Sequence, residues 1–167
     1  HSVESDNYFW QQAGIGRTQC VVDWRFLDYI EQDPAEEARI PLGTIMGNND
    51  TLYYMQNKYP TENSPINFIS WQENGLMLAE LDIRSGNNAG ALVRINAVRA
   101  SHGLSDLTTA DMDVLILERE KELFVTGARL VDQRRFDADY HTWHLGADKW
   151  HYFPITESER NINPNID

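Results

Sequence analysis

Two clusters carry the residue types from which a reactive site could be built. His141, His144 and His151 stand close together with Asp137, Asp139 and Asp148. A zinc site takes three or four such ligands held by a second layer of hydrogen bonds. The step from His141 to His144 is not the four-residue step that puts two histidines on one helix face, and no HExxH run occurs. Surface and packing histidines account for the cluster better than a metal. The second cluster is Glu118, Glu120 and Glu122. A glycosidase needs two carboxyls roughly 5 Å or roughly 6.5–9.5 Å apart across a sugar. Arg119 and Lys121, interleaved with these acids, make ordinary ion pairs the simpler role. Nucleophile elbow, phosphate loop and dinucleotide glycine motif are all missing from the sequence. The one cysteine, Cys20, has no evident catalytic partner and reads as a small buried hydrophobe. The expectation is a protein that is not an enzyme and needs neither cofactor nor metal.

Binding is the better-supported chemistry. The chain holds five Trp and seven Tyr, and an aromatic face can stack on the C–H face of a pyranose. Trp10, Trp143, Trp150 and Tyr152 fall in loop-like sequence and are the expected ligand contacts, whereas Trp71 sits on an apolar helix stripe and reads as core. A net charge of −12 argues against nucleic acid, whose binding requires phosphate neutralisation, and against an anionic membrane surface. No apolar run approaches the ~20 residues that would span a bilayer. At 167 residues the chain is long enough for a single domain with its own core. His1 in place of an initiator Met, without a leader, is expected of a processed product or a piece of a longer chain.

The elements that would position these residues are mostly helical. The central stretch is Asp111–Phe136, read as a long helix with Thr108 as N-cap. Its apolar stripe is Val114, Leu115, Leu117, Leu123, Phe124 and Leu130. Glu118 with Lys121, and Arg119 with Glu122, lie one turn apart; on composition they form a solvated face, each pair worth ~0.2–0.5 kcal/mol. Ser70-x-x-Glu73 is a capping box opening a helix to Arg84 that buries Trp71, Leu76, Met77, Leu78, Ala79 and Leu81. Ser85-Gly86-Asn87-Asn88 breaks the chain. A second helix, Ala89–His102, presents Leu92, Ile95 and Val98 and stops at Gly103. This is a helical hairpin of tetratricopeptide-like type. Upstream, Val22, Phe26 and Ile30 at four-residue steps mark Gln19–Glu31 as a short amphipathic helix ended by Asp33-Pro34. Asp33–Asp50 reads as a loop, Thr51–Gln56 as a brief strand, His1–Arg17 as irregular, and Asp137–Trp150 as loop.

Glu118-Arg119-x-x-Glu122-Leu123, then Gly127-x-Arg129, then Asp132-x-Arg134-Arg135, resembles the helix run of the SusD/RagB family of outer-membrane nutrient-binding proteins. That run reads roughly ER-x-x-EL, EGHR, D-L-x-R; Thr126 and Ala128 stand where the family usually has Glu and His. Leu78-Ala79-Glu80 is similar to its AEA helix ending. Ala91-Leu92-x-x-Ile95-Asn96-x-Val98-Arg99-Ala100-x-x-Gly103-Leu104 is similar to its A-L-x-x-IN-x-VR-x-R-x-GL run. Ser70, Ser101 and His102 depart from the common Arg, Arg and Ala. Phe153-Pro154-Ile155-Thr156-x-Ser158-Glu159 with Asn163-Pro164-Asn165 resembles its LPIP-x-SE…NPN tail, and Lys58-Tyr59-Pro60 its KY segment. Asp33-Pro34 with Arg39 is a weaker echo of an Asp-Pro-Arg element. Residues 58–167 match well and 1–57 loosely.

The resemblance implies a mainly α, SusD-like fold, with the helical hairpin, the long signature helix and irregular loops. It further implies the C-terminal portion of a longer surface lipoprotein of a bacterial outer membrane, anchored by lipid on upstream sequence. Such a protein captures an oligosaccharide without breaking bonds and hands it to a SusC-like TonB-dependent transporter. Glu118, Arg119, Glu122, Gly127, Arg129, Asp132, Arg134, Arg135, Pro154, Asn163 and Pro164 would then be structural, with the missing N-terminal half as a partner. Capture of a peptide or other nutrient, a carbohydrate hydrolase with acidic loop residues, and a module that only holds the transporter are the alternatives.

Overall fold

The computed structural model describes residues 7–13, 20–47, 50–136 and 156–163. It divides into two compact units, His1–Arg129 and Leu130–Asp167. The described residues are mainly helical, with one two-stranded sheet.

In the first unit, α1 (Tyr8–Ala13) is a helix where the sequence read as irregular. Asn7 accounts for it: its Oδ1 accepts from Trp10 N at 3.0 Å as an N-cap, while its own amides donate to the carbonyls of Ser64 and Glu62. Phe9 stacks on Tyr59 at 5.2 Å. Next, α2 (Arg25–Gln32) buries Phe26 and ends at Asp33 as expected, but it starts six residues later than Gln19, because Val22 N is bonded to Tyr54 O of the sheet instead of entering the helix. The Asp33 carboxylate then accepts from Ala35 N and caps a 3₁₀ turn, Pro34–Ala38.

The expected loop Asp33–Asp50 also contains a strand. β1 (Leu42–Met46) pairs antiparallel with β2 (Leu52–Gln56), with Leu42 opposite Gln56 and Met46 opposite Leu52. Leu-Gly-Thr-Ile-Met has no alternating pattern to announce a strand; its partner supplies the order. Val22 N donates to Tyr54 O at 2.8 Å and lays the start of the α2 segment along the free edge of β2.

α3 (Trp71–Arg84) and α4 (Asn88–Ser101) form the expected hairpin. Ser70 Oγ accepts from Glu73 N at 3.1 Å, the cap that the sequence indicates. Each helix ends in a left-handed glycine. Gly86 N and Asn87 N bond back to Ile83 O and Asp82 O, and Gly103 N and Leu104 N to Ala100 O and Arg99 O. These paired bonds satisfy carbonyls that a helix end leaves open. The buried face is narrower than the periodicity suggests. Leu76 and Ala79 are fully buried, but Trp71 is 56% exposed and Leu81 63%, with Met77 also exposed. Trp71 is therefore not core.

α5 (Met112–Glu122) is shorter than expected and is capped by Asp111, whose carboxylate accepts from Val114 N at 2.9 Å; Thr108 lies outside. The helix stops at Glu122, and the chain turns through Val125 (φ 53°) and Gly127 (φ 86°) before α6 (Arg129–Arg135). In the second unit, the described residues of α6 and α7 (Glu157–Ile162) complete the elements.

Two apolar clusters flank α5. Leu76, Ala79, Ala91, Ile95, Val98, Ala110 and Leu115 form the first, and Phe26, Ile40 and Phe124 the second. Leu115 lies in one and Phe124, just past the helix end, in the other. Between them runs the charged segment Glu118–Glu122.

Candidate functional site

That segment is not a solvated face. Glu118, Arg119, Glu120 and Glu122 are all buried. A charge in such a place must be paired, because its desolvation penalty is several kcal/mol, and the partners arrive from elsewhere in the chain. Glu118 Oε2 accepts from Arg39 Nη1 at 2.8 Å and Glu118 Oε1 from Arg99 Nη1 at 2.7 Å. Arg39 also grips Glu36 in a two-point pair, Nε to Oε2 and Nη2 to Oε1. Lys121 Nζ closes the group on Glu36 Oε1 at 2.8 Å and sits 4.8 Å from the Tyr29 ring centre. The pairs Glu118–Lys121 and Arg119–Glu122 that spacing suggests are thus replaced, for Glu118 and Lys121, by long-range ones. Burial works against the Glu36 carboxylate, yet hydrogen bonds from Arg39 and Lys121 outweigh it and hold its pKa below the usual value. Burial likewise opposes the Arg39 cation, and hydrogen bonds to Glu36 and Glu118 more than offset it, so its pKa is raised.

Glu120 makes the second group. Arg25 Nε and Arg129 Nη1 both lie 2.7 Å from its Oε1. Tyr29 also bonds to this carboxylate; burial first, and the Glu120 charge second, push the phenol up to about 12. At the helix end, His102 Nε2 lies 2.9 Å from Glu122 Oε2. Lys58 Nζ donates to the carbonyls of Glu122 (3.3 Å) and Phe124 (3.0 Å), serving as a cationic cap at the negative end of α5. Burial lowers the Lys58 pKa, partly offset by Glu122.

The α4 run also resolves into separate tasks. Ala91, Ile95 and Val98 are core. Asn96 Oδ1 accepts from Leu107 N (2.9 Å) and its Nδ2 donates to Leu107 O (3.0 Å), pinning the connection to α5. Arg99 Nε donates to Ser105 O at 2.7 Å while its Nη1 reaches Glu118.

Of the expected structural residues, Glu118, Arg119, Glu122 and Arg129 gather on or against α5, and Gly127 supplies a left-handed turn. Asp132 is buried and lies 3.4 Å from Arg135; Arg134 is exposed on the same helix. Asn163 is half-buried. Pro154 and Pro164 lie outside the described residues, as do the ligand contacts Trp143, Trp150 and Tyr152 and the histidine cluster His141, His144 and His151. Trp10 lies on a helix, not a loop, and is half-buried. Cys20 is exposed, contrary to expectation.

Spacing on the helix did not reveal Glu36, Arg39, Arg25 and Lys58 as participants. The Asp33-Pro34…Arg39 and Lys58-Tyr59-Pro60 similarities pointed to Arg39 and Lys58; nothing in the sequence pointed to Glu36 or Arg25. Among the described residues no cluster of His, Cys, Asp or Glu is fit to hold a metal, and no described helix is long and apolar enough to cross a membrane. Comparison with known families, characterised proteins and solved structures finds no match to this chain.

Proposed function

We propose that this chain is the C-terminal portion of a SusD/RagB-like protein that captures an oligosaccharide at a bacterial surface and passes it to a SusC-like TonB-dependent transporter. One observation carries the reading. Stretches that resemble the family at separate places in the sequence send side chains to the same helix: Lys58 from the KY segment, Arg99 from the IN-x-VR run and Arg39 from the Asp-Pro element all reach α5. Buried carboxylates on α5 require cationic partners in any fold; that three of those partners come from the stretches resembling the family is what supports the reading.

The same geometry supports binding without catalysis. Glu118, Glu120 and Glu122 are buried and engaged by Arg39 and Arg99, by Arg25 and Arg129, and by His102. A general acid must reach the scissile oxygen; Glu118 and Glu122 face their own protein, and Glu120 borders only a mainly apolar cavity with its carboxylate already held by two arginines. Ile66, Phe68, Ile69 and Trp71, all exposed within one short segment, favour a protein-contact face in the same reading, toward the transporter or an upstream half.

A panel of polysaccharides and oligosaccharides, tested by affinity electrophoresis and calorimetry, decides the matter. Saturable binding lost in Trp10→Ala, Trp143→Ala or Trp150→Ala is the expected result. Failure to bind any glycan would remove glycan capture from this portion, and turnover of a bound glycan would replace it with hydrolysis.

A further inference from the structure

A cavity of about 200 Å³ opens between the start of α2, the end of β2 and the turn after α5. Val22, Phe26, Leu123, Phe124 and Val125 supply apolar walls, and Arg25, Glu120, Arg129, Asp23 and Gln56 also line it. Val125 holds φ 53°, a region that β-branched residues avoid because Cβ crowds the carbonyl. Such backbone persists only where the surroundings enforce it, and it concentrates at ligand sites.

The chemistry of the lining narrows what fits. An apolar cavity of ~150 Å³ accommodates benzene, so this one has room for a single ring with a small substituent. The apolar walls do not suit a sugar, whose hydroxyls would go unpartnered on every side. At the polar end, two guanidiniums and one carboxylate meet at a single oxygen, Glu120 Oε1. Guanidinium only donates and carboxylate only accepts. With two carboxylates against two guanidiniums, an anionic substituent would face Glu120 and Asp23, and a cationic one would face Arg25 and Arg129. A neutral hydroxyl can accept from an arginine and donate to the glutamate, and a planar ring lies well against a guanidinium face. We propose that this cavity is a binding site for a small uncharged phenolic molecule, its ring among Val22, Phe26 and Phe124 and its hydroxyl at the Arg25–Glu120–Arg129 group. The site is independent of glycan capture.

Cys20 lines the cavity and is exposed, which provides a readout. With p-cresol as probe, calorimetry should show one saturable site in the millimolar range or tighter, and p-cresol should slow maleimide alkylation of Cys20. Benzoate and benzylamine should bind at least roughly tenfold more weakly, a difference of about 1.4 kcal/mol. Val22→Trp fills the cavity and should abolish both effects. Because Val22 also packs against Phe26, Val21→Trp at the exposed rim is the second variant, with helical content checked by circular dichroism. The proposal is overturned by no binding of p-cresol to the unaltered chain. Unchanged binding in a folded Val21→Trp or Val22→Trp chain overturns it too, as does benzoate binding as tightly as p-cresol.

Discussion

Arg99 and Glu118 are 19 residues apart in sequence, yet Arg99 Nη1 lies 2.7 Å from Glu118 Oε1 with side chains 7% and 3% exposed. Neither helix could bury its charge alone. The pair joins α4 to α5 at the point where Arg39 arrives from the 3₁₀ turn to take the other Glu118 oxygen. Breaking one side of such a buried pair leaves an uncompensated charge. Arg99→Ala and Glu118→Gln should therefore each lower unfolding free energy by about 3–5 kcal/mol. The double variant Arg99→Met, Glu118→Leu should lose less than the sum of the corresponding single variants, with a coupling of about 0.5–3 kcal/mol. Urea denaturation of the set measures both. Small, additive losses would mean that the two helices are held by their apolar contacts alone.

The hairpin distinguishes residues that look equally apolar in the sequence. Leu76 is completely enclosed by the α3–α4–α5 cluster, while Trp71 is 56% exposed. Leu76→Ala should cost about 2–5 kcal/mol through lost transfer energy and the cavity left behind. Trp71→Ala should cost about 1 kcal/mol or less, in the range of surface substitutions. A thermal or urea series on the two variants gives the comparison, and equal losses would return Trp71 to a packed environment.

What the sequence discloses depends on how far its causes reach. The hairpin was legible because its signals are local: Ser70 caps its own helix, and Gly86 and Gly103 stop theirs. β2 was legible from its adjacent Tyr53 and Tyr54, but β1 was not, since Gly43 interrupts Leu42–Met46 and the segment is a strand through pairing with β2. The charged run on α5 misled for the same reason. Its partners Arg39 and Glu36 stand 79 and 85 residues away from the residues they meet, and no helical spacing contains that information. Periodicity also tells which residues share a face without telling whether anything covers it, as exposed Trp71, Met77 and Leu81 illustrate. For the proposed ligand contacts, only Trp10 is placed by the described residues, and it lies on α1 because Asn7 caps that helix.

Gly103 tests the helix stop directly. Its φ is +75°, and a Cβ built there meets nothing within 4 Å. Gly103→Ala should thus carry the backbone cost alone, roughly 1–2 kcal/mol, with no repacking of neighbours. Gly103→Asn should recover part of that loss, since Asn tolerates the left-handed region. Stability measurements on the pair decide it; a neutral Gly103→Ala would mean that the turn between α4 and Leu104 has another conformation available.

Tyr29 gives the protein an alkaline limit whose sign follows from its surroundings. Burial, then the neighbouring Glu120 charge, raises the phenol from 10.0 to about 12, so the folded state holds the proton more firmly than the unfolded chain. A group of this kind contributes stability that is complete below about pH 10 and disappears as pH rises through about 12. Tyr29→Phe cannot titrate and lacks the bond to Glu120. At pH 8 it should be less stable than the unaltered chain by roughly 1.5–3 kcal/mol, the range for a hydrogen bond to a charged group. Between pH 10 and 12 that gap should narrow, because only the chain with Tyr29 loses stability from this source while every other titration is common to both. Urea midpoints of the two proteins across this window follow the gap, and tyrosinate absorbance should show one fewer late-titrating phenol in Tyr29→Phe. A gap that stays constant through the window would show that neither burial nor the Glu120 charge raises the Tyr29 phenol in the folded chain.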